Sequence, residues 1–163
     1  MFDLLTEQEE YEERYTRHLR FDIDLLARRL VDATRWIKTQ EEARSLPLGY
    51  FGSSTGAAAA LVAAAKLGDQ VVAVVSRGGR PDLAGASLAK VRAATLLIVG
   101  GRDYEVVKLN WDAYKLLSCE KEVKIVDRAT HLFEEPGALE EVARLAADWF
   151  KKHFKPESRA VSR

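Results

Sequence analysis

The sequence has little cysteine, no closely spaced histidines and no excess of either charge. Each of these features excludes a class of protein or of partner. A single cysteine, Cys119, excludes a disulfide framework and a cysteine metal site. His18, His131 and His153 lack the close spacing of a zinc motif, so we expect no metal and no cofactor. Neither charge is in excess, with 25 basic and 25 acidic residues, which argues against nucleic acid as a partner.

Long apolar runs are also missing, so we expect no membrane partner. The first twenty residues are dense in charge, unlike a signal peptide, and a cytoplasmic protein is the expectation. A length of 163 residues suits one domain with a single core. We place that domain at residues 1–155 and interpret residues 156–163 as a polar tail.

Along the chain, short apolar runs typical of strands alternate with apolar residues at helical spacing. Glu7–Glu13 is acidic and typical of a solvated loop or helix face, and Asp22 caps a predicted amphipathic helix ending near Gln40. The predicted strands are Leu46–Phe51, Val71–Val75, Ala94–Val99 and Val123–Val126. Helical patterns follow at Thr55–Leu67, at Val106–Leu117 and from Pro136, with a short irregular or helical segment after the second strand. This order predicts an α/β fold with a parallel sheet flanked by helices.

The centre of the chain is a G-x-S-x-G motif, in which Gly52, Ser54 and Gly56 hold the fixed positions. At the end of a strand this pattern is typical of a nucleophile elbow, where a sharp turn exposes the serine and the glycines relieve crowding. The following helix would offer free N–H groups to an anion. Two other interpretations are an ordinary strand–helix turn and a phosphate-binding turn, although neither G-x-G-x-x-G nor G-x-x-x-x-G-K-S/T occurs.

Two more polar residues follow predicted strands. Asp103 comes after the third strand and His131 after the fourth, so Ser54, Asp103 and His131 should share the carboxyl edge of the sheet. A histidine can take the proton of a serine hydroxyl, and a carboxylate can orient that histidine. The order Ser…Asp…His is that of α/β-hydrolases. Considered alone, Asp103 is interpreted as a helix N-cap and His131 as an ordinary loop residue.

Three segments carry a resemblance to a known family. GYFGSSTGAAAAL, LLIVGGRD and ATHLFEEPGALEEVARLAADWF resemble the dienelactone-hydrolase-like branch of the α/β-hydrolases, and especially bacterial domains often fused to a phosphoribosyltransferase. The resemblance extends from about Asp3 to Phe154. It implies Ser54 as nucleophile, Asp103 as the acid member and His131 as general base. Dienelactone hydrolases proper use cysteine as nucleophile, so Ser54 favours serine esterase chemistry on small esters or thioesters.

The resemblance also implies upstream strands and a loop that supplies half of an oxyanion hole. Here only Met1–Leu5 precedes the first helix, so we expect an N-terminally truncated α/β-hydrolase fold in which the Thr55 N–H is the remaining donor. The first strand would then be a bare sheet edge, covered by the N-terminal helix or by a second copy in a homodimer, unless the chain is a shortened form of a larger protein.

Other functions remain open from the sequence. Arg77 and Arg80 follow the second strand and could bind a carboxylate or phosphate, or could be ordinary surface arginines. The tryptophans Trp36, Trp111 and Trp149 are predicted to lie in the core. An alternative to the enzyme is a catalytically weak or inert domain that acts in binding or assembly. A nucleotide-binding domain fits less well, because no ribose-binding acidic residue stands at the expected spacing.

Overall fold

The computed structural model describes residues 3–154, so Met1, Phe2 and residues 155–163, including the predicted tail at 156–163, lie outside the described residues. The five α-helices of this range are α1 (Glu7–Thr16), α2 (Ile23–Thr39), α3 (Thr55–Leu67), α4 (Tyr104–Leu116) and α5 (Ala138–His153). The strands are β1 (Gly49–Ser53), β2 (Ala73–Arg77), β3 (Ala94–Gly100) and β4 (Lys121–Val126). Three short 3₁₀ segments lie at Leu19–Phe21, Gly68–Gln70 and Pro81–Lys90.

The sheet is parallel throughout, as the alternating pattern predicted. Its order is β1-β2-β3-β4, so each strand pairs with the strand next to it in sequence. Every residue of β3 is buried, whereas β1 and β4 form the two edges. Ser54, Asp103 and His131 therefore follow strands that all end at the same side of the sheet.

Helices cover both faces of the sheet, because successive residues of each strand point to opposite sides. Val74 packs on one face, in a core cluster with residues of α2, α3 and α4. Its neighbour Val75 packs on the other face, in a cluster with residues of α5 and with Phe133. The central strands are apolar on both faces because helices cover both faces of the sheet.

The predicted boundaries of three strands are wrong. The structure places β1 at Gly49–Ser53 rather than Leu46–Phe51, and β2 at Ala73–Arg77 rather than Val71–Val75. It begins β4 at Lys121 rather than Val123, because the strand includes two polar residues before its apolar run. Leu46 ends a turn by donating its N–H to the Ala43 carbonyl, and Pro47 has no N–H for a ladder. Apolar residues at these positions belong to the approach to each strand, which hydrophobicity alone does not distinguish from the strand itself.

The acidic N-terminal stretch is the helix α1, and it is less solvated than its composition suggested. Thr6 and Glu9 form a capping box, and the Glu9 carboxylate also pairs with Arg29 of α2 at 2.6 Å. Glu13 is fully buried and accepts hydrogen bonds from the Leu19 N–H at 2.6 Å and the Arg20 Nε at 2.8 Å. Burial opposes its charge, but these bonds outweigh that effect and hold the pKa of the Glu13 carboxyl below its usual value.

The prediction for the tryptophans holds for one of the three. Trp149 is buried and donates its indole N–H to the Ala94 carbonyl at 3.1 Å. Trp36 and Trp111 are wrong as core residues, because their side chains are 64% and 44% exposed. Among residues 3–154, no helix combines the length and the apolar content needed to cross a membrane.

Candidate active site

Ser54 occupies a strained turn between β1 and α3. Its backbone has φ 51° and ψ −125°, a conformation that residues other than glycine rarely adopt. The carbonyl of Ser54 accepts the N–H of Ala57 at 3.2 Å and of Arg80 at 3.0 Å, so neighbouring backbone holds the strain in place. The Ser54 side chain makes no capping hydrogen bond to its own helix. The turn therefore has the backbone geometry of a nucleophile elbow.

The two glycines of the motif differ in their surroundings. A Cβ on Gly52 would lie 2.6 Å from the Gly56 carbonyl oxygen and 2.8 Å from the backbone of Ala57. A Cβ on Gly56 would meet no atom within 4 Å. The expectation that both glycines relieve crowding is thus correct for Gly52 and wrong for Gly56, because the chain folds back over only one of them.

Asp103 and His131 meet across the sheet edge, 28 positions apart in sequence. The His131 Nδ1 lies 2.6 Å from the Asp103 Oδ2, in hydrogen-bond contact. Asp103 stands at the N-cap position of α4, yet its carboxylate does not cap that helix. It lies mostly out of solvent at 16% exposure, while His131 remains 42% exposed. The carboxylate therefore holds Nδ1 of the ring, and Nε2 has no hydrogen-bond partner among residues 3–154.

Close backbone approach makes this contact possible. A Cβ on Gly100 would lie 2.5 Å from the carbonyl oxygen of Ala129 and 2.6 Å from that of Thr130. The Arg102 N–H also donates to the Ala129 carbonyl at 2.9 Å. The turn that carries Asp103 thus packs directly on the loop that carries His131, and only glycine fits at position 100.

Glu135 is a residue of this loop that the sequence reasoning missed. Its carboxylate accepts the Thr130 N–H at 3.0 and 3.1 Å, one residue before His131. Hydrogen bonding to Thr130 holds the pKa of the Glu135 carboxyl below its usual range. An acidic residue shortly before Pro136 was the available signal, but such residues are common near helix starts and carry no specific prediction.

Ser54 and His131 approach the same short turn after β2. The Ser54 N–H donates to the Arg77 carbonyl at 3.4 Å, and a Cβ on Gly78 would lie 3.7 Å from the His131 Cε1. Within residues 3–154, no hydrogen bond joins the Ser54 hydroxyl to the His131 ring. The structure therefore brings Asp103 and His131 into direct contact, and both Ser54 and His131 lie against the turn after β2.

The other predicted site residues lie around Ser54. Thr55 is the first residue of α3, so its N–H has no partner within the helix. The Arg80 guanidinium forms two hydrogen bonds with Asp82 at 2.8 and 2.9 Å, which occupies the group predicted to bind an anion. Arg77 lies over the Phe133 ring at 5.5 Å and lines a groove of about 920 Å³ that also reaches Ser53 and Thr55.

A solved structure of high similarity decides the family. The dienelactone hydrolase of Anabaena variabilis is 56% identical to this chain, with a TM-score of 0.90, over 94% of this chain and 71% of that one. The chain belongs to the dienelactone hydrolase family. The resemblance of the three quoted segments is thereby confirmed, and so is the parallel sheet flanked by helices of an α/β-hydrolase.

Two solved structures of lower identity share the fold. A dienelactone hydrolase-like promiscuous phosphotriesterase from metagenomic libraries is 21% identical with a TM-score of 0.63, over 91% of this chain and 66% of that one. An esterase domain from Rhodothermus marinus is 18% identical with a TM-score of 0.64, over 76% of this chain and 67% of that one. These similarities show a hydrolase fold and no more.

Curated relatives of this dienelactone hydrolase family member come from Mycobacterium tuberculosis. Proteins of two strains, provisionally described as phosphoribosyl transferases, are 58% identical over 94% of the chain. The chain spans about a third of the length of these relatives, 34%. This match agrees with the expected link to a phosphoribosyltransferase. No protein-family model matches the chain.

Proposed function

We propose that this dienelactone hydrolase family member is a serine hydrolase acting on small esters or thioesters. One observation carries the proposal: the Asp103–His131 contact of 2.6 Å and a serine with φ 51° at the start of a helix both border the turn after β2. A carboxylate-bound imidazole next to a strained serine is the arrangement that nucleophilic catalysis by serine requires. The family supports hydrolysis, and the serine chemistry is our inference.

The hydrogen bond between His131 Nδ1 and Asp103 determines which ring nitrogen can act as the base. With Nδ1–H donated to Asp103, Nε2 can accept the proton of the Ser54 hydroxyl as its oxygen attacks the substrate carbonyl carbon. The tetrahedral intermediate collapses, the bond to the leaving oxygen or sulfur breaks, and His131 returns the proton to that leaving group. Water, deprotonated by His131, then attacks the acyl-enzyme and releases the acid and Ser54. No cofactor takes part in these steps.

The oxyanion of the intermediate requires a hydrogen-bond donor. The Thr55 N–H points from the first turn of α3, where the helix dipole favours negative charge. Loss of one of two oxyanion donors typically costs about 10²–10³ in rate. If Thr55 acts without a second donor, turnover is slow while covalent reaction of Ser54 with a strong electrophile is still expected.

Labelling with a fluorophosphonate probe tests the proposal. We expect the native chain to be labelled and Ser54→Ala to be unlabelled. Ser53→Ala is the matched control, because it removes the neighbouring hydroxyl at the end of β1 and should leave labelling intact. Labelling that persists in Ser54→Ala, or that disappears equally in Ser53→Ala, contradicts Ser54 as the nucleophile.

The second proposal is a catalytically weak or inert domain with a role in binding or assembly. It is favoured by the lack of a Ser54–His131 hydrogen bond within the described residues. A folded native chain that does not react with the probe would support this alternative, and rapid labelling would exclude it.

A further inference from the structure

Asn110 is a fully buried polar residue on the second turn of α4, away from the residues of the proposed triad. Its side-chain Nδ2 donates to the carbonyl of Gly79 at 3.0 Å and to the carbonyl of Val106 at 2.8 Å. The Oδ1 of the same amide is buried without a partner among the described residues. A flipped amide would direct Oδ1 at two carbonyl oxygens, so the donor must face Gly79.

The Gly79 carbonyl belongs to the turn after β2, formed by Gly78, Gly79 and Arg80. One end of this turn reaches the nucleophile, because the Arg80 N–H donates to the Ser54 carbonyl at 3.0 Å. The other end reaches the histidine loop, because a Cβ on Gly78 would lie 3.2 Å from the His131 carbonyl oxygen. Movement of this turn would change the position of both residues.

Within residues 3–154, no other side chain donates a hydrogen bond to the backbone of this turn. The Gly78 N–H donates to the Ile98 carbonyl at 2.8 Å, which fixes its first residue to β3. Ser76 packs directly against Gly79, but its buried hydroxyl has no hydrogen-bond partner among residues 3–154. Ala57 of α3 also packs against Gly79, so Asn110 is the side chain that adds a hydrogen bond to the packing contacts of the turn.

The helix that carries Asn110 also carries the acid of the proposed triad. Asp103 stands at the N-cap of α4, and Asn110 follows seven positions later. One helix thus carries both the carboxylate that contacts His131 and the amide that binds the turn after β2. We propose that Asn110 is a positioning residue that sets the Ser54 backbone in register with the Asp103–His131 pair, an inference that rests on the proposed serine hydrolase function.

The test combines a structural and a kinetic measurement on Asn110→Leu, which keeps the branched shape of the side chain and removes the donor. Amide hydrogen exchange of the peptide containing Gly78–Arg80 should accelerate about tenfold or more, because the turn opens locally. Hydrolysis of 4-nitrophenyl acetate should lose about 10–100-fold in kcat with KM within about twofold, because misplacement of the nucleophile acts on the chemical step.

Thr34→Val is the matched control. Thr34 is also buried, and its hydroxyl contacts the Leu30 carbonyl at 2.8 Å and the Tyr50 hydroxyl at 2.6 Å, with no bond to the turn. We expect a similar loss of thermal stability in Thr34→Val, with unchanged exchange at Gly78–Arg80 and unchanged kcat. If Asn110→Leu does not fold, Asn110→Ser keeps a hydroxyl for the Val106 carbonyl and loses the reach to Gly79.

Each outcome decides one point. Unchanged exchange at the turn in a folded Asn110 variant overturns the contact as a restraint. Faster exchange with unchanged kcat, or an equal kcat loss in Thr34→Val, overturns the positioning role. A native chain that neither hydrolyses the ester nor reacts with a fluorophosphonate overturns the proposed function, and faster exchange in Asn110→Leu would then still show that Asn110 restrains the turn.

Discussion

At the scale of single residues, the two glycines of the G-x-S-x-G motif have different tasks. We expect Gly52→Ala to destabilise the protein by about 1–3 kcal/mol or more, because the new methyl group meets backbone atoms that cannot move aside. Gly56→Ala should instead stabilise α3 by about 0.5–1 kcal/mol, because alanine is the better helix former and space is free. Urea denaturation of both variants measures the difference, and equal losses would contradict this assignment.

The pairing of Asp103 with His131 makes a second prediction at this scale. Asp103→Asn should lower kcat for ester hydrolysis by about 10⁴-fold, because an amide in place of the carboxylate favours the wrong tautomer of His131. The substitution is nearly isosteric, so thermal stability should change little. Asp127→Asn, at an exposed position after β4, is the control and should retain full kcat. A loss in kcat below about tenfold for Asp103→Asn would remove Asp103 from the mechanism.

The residues that the sequence could locate are those that follow strands. Parallel strands end at one edge, so Ser54, Asp103 and His131 could be placed together without knowing any side-chain direction. Glu135 and Asn110 could not be found in this way. Their roles depend on which backbone groups they reach, and the carbonyl that Asn110 contacts lies 31 positions away.

At the scale of elements, the attachment of α1 to α2 depends on ionised carboxylates. Hydrogen bonds from Arg29 and Thr6 lower the pKa of Glu9 from 4.5 to about 2. A lowered pKa means that the folded state binds the proton less well than the unfolded state. The stabilising contribution is therefore fully present above pH 4.5 and is lost as the pH falls toward 2.

We accordingly expect α1 to become sensitive to proteolysis as the pH falls below 4.5, before the sheet unfolds. Glu9→Gln should show this sensitivity already at neutral pH, because it removes the charge that pairs with Arg29. Glu12→Gln on the same helix is the control, since the Glu12 carboxylate accepts a hydrogen bond from the exposed Gln8 side chain and, within residues 3–154, forms no ion pair. Pepsin digestion across the acid range and trypsin at neutral pH measure the effect, and equal resistance of native and Glu9→Gln chains would contradict it.

The predicted elements agree with the structure where local signals mark their ends. Asp22 caps α2 as predicted by accepting the Leu25 N–H, and α3 covers the predicted range Thr55–Leu67. The strands β1, β2 and β4 lacked such signals, so their starts were misplaced by two or three residues. For α1, composition indicated solvent exposure, whereas the burial of Glu13 depends on Arg20, beyond the end of that helix.

At the scale of the whole molecule, the β1 edge of the sheet has no strand partner within the described residues. Beside β1 runs an apolar groove between α2 and α5, in which Phe51 and Leu139 are 43% and 50% exposed. Unpaired strand edges readily accept another strand. We propose that a second copy of the chain covers this edge in a homodimer.

Light scattering at high protein concentration tests the dimer. We expect twice the mass of the 18.2 kDa chain, and the mass of the single chain for Phe51→Glu, because a charge would then lie in the apolar contact. Trp36→Glu is the control, since Trp36 is an exposed aromatic residue of α2 outside the groove. A strictly monomeric native chain would exclude the homodimer.

The sequential order of the sheet has a consequence for how the chain folds. The paired residues Gly49 and Ala73, Ala73 and Ala94, and Thr95 and Lys121 are 24, 21 and 26 positions apart. No strand has to wait for a partner from the other end of the chain, so the contact order is low for a parallel sheet. Assembly can start at the buried pair β2–β3 and spread to both edges. Stopped-flow refolding followed by tryptophan fluorescence should then show one fast phase, and a dominant slow phase would indicate a trapped intermediate.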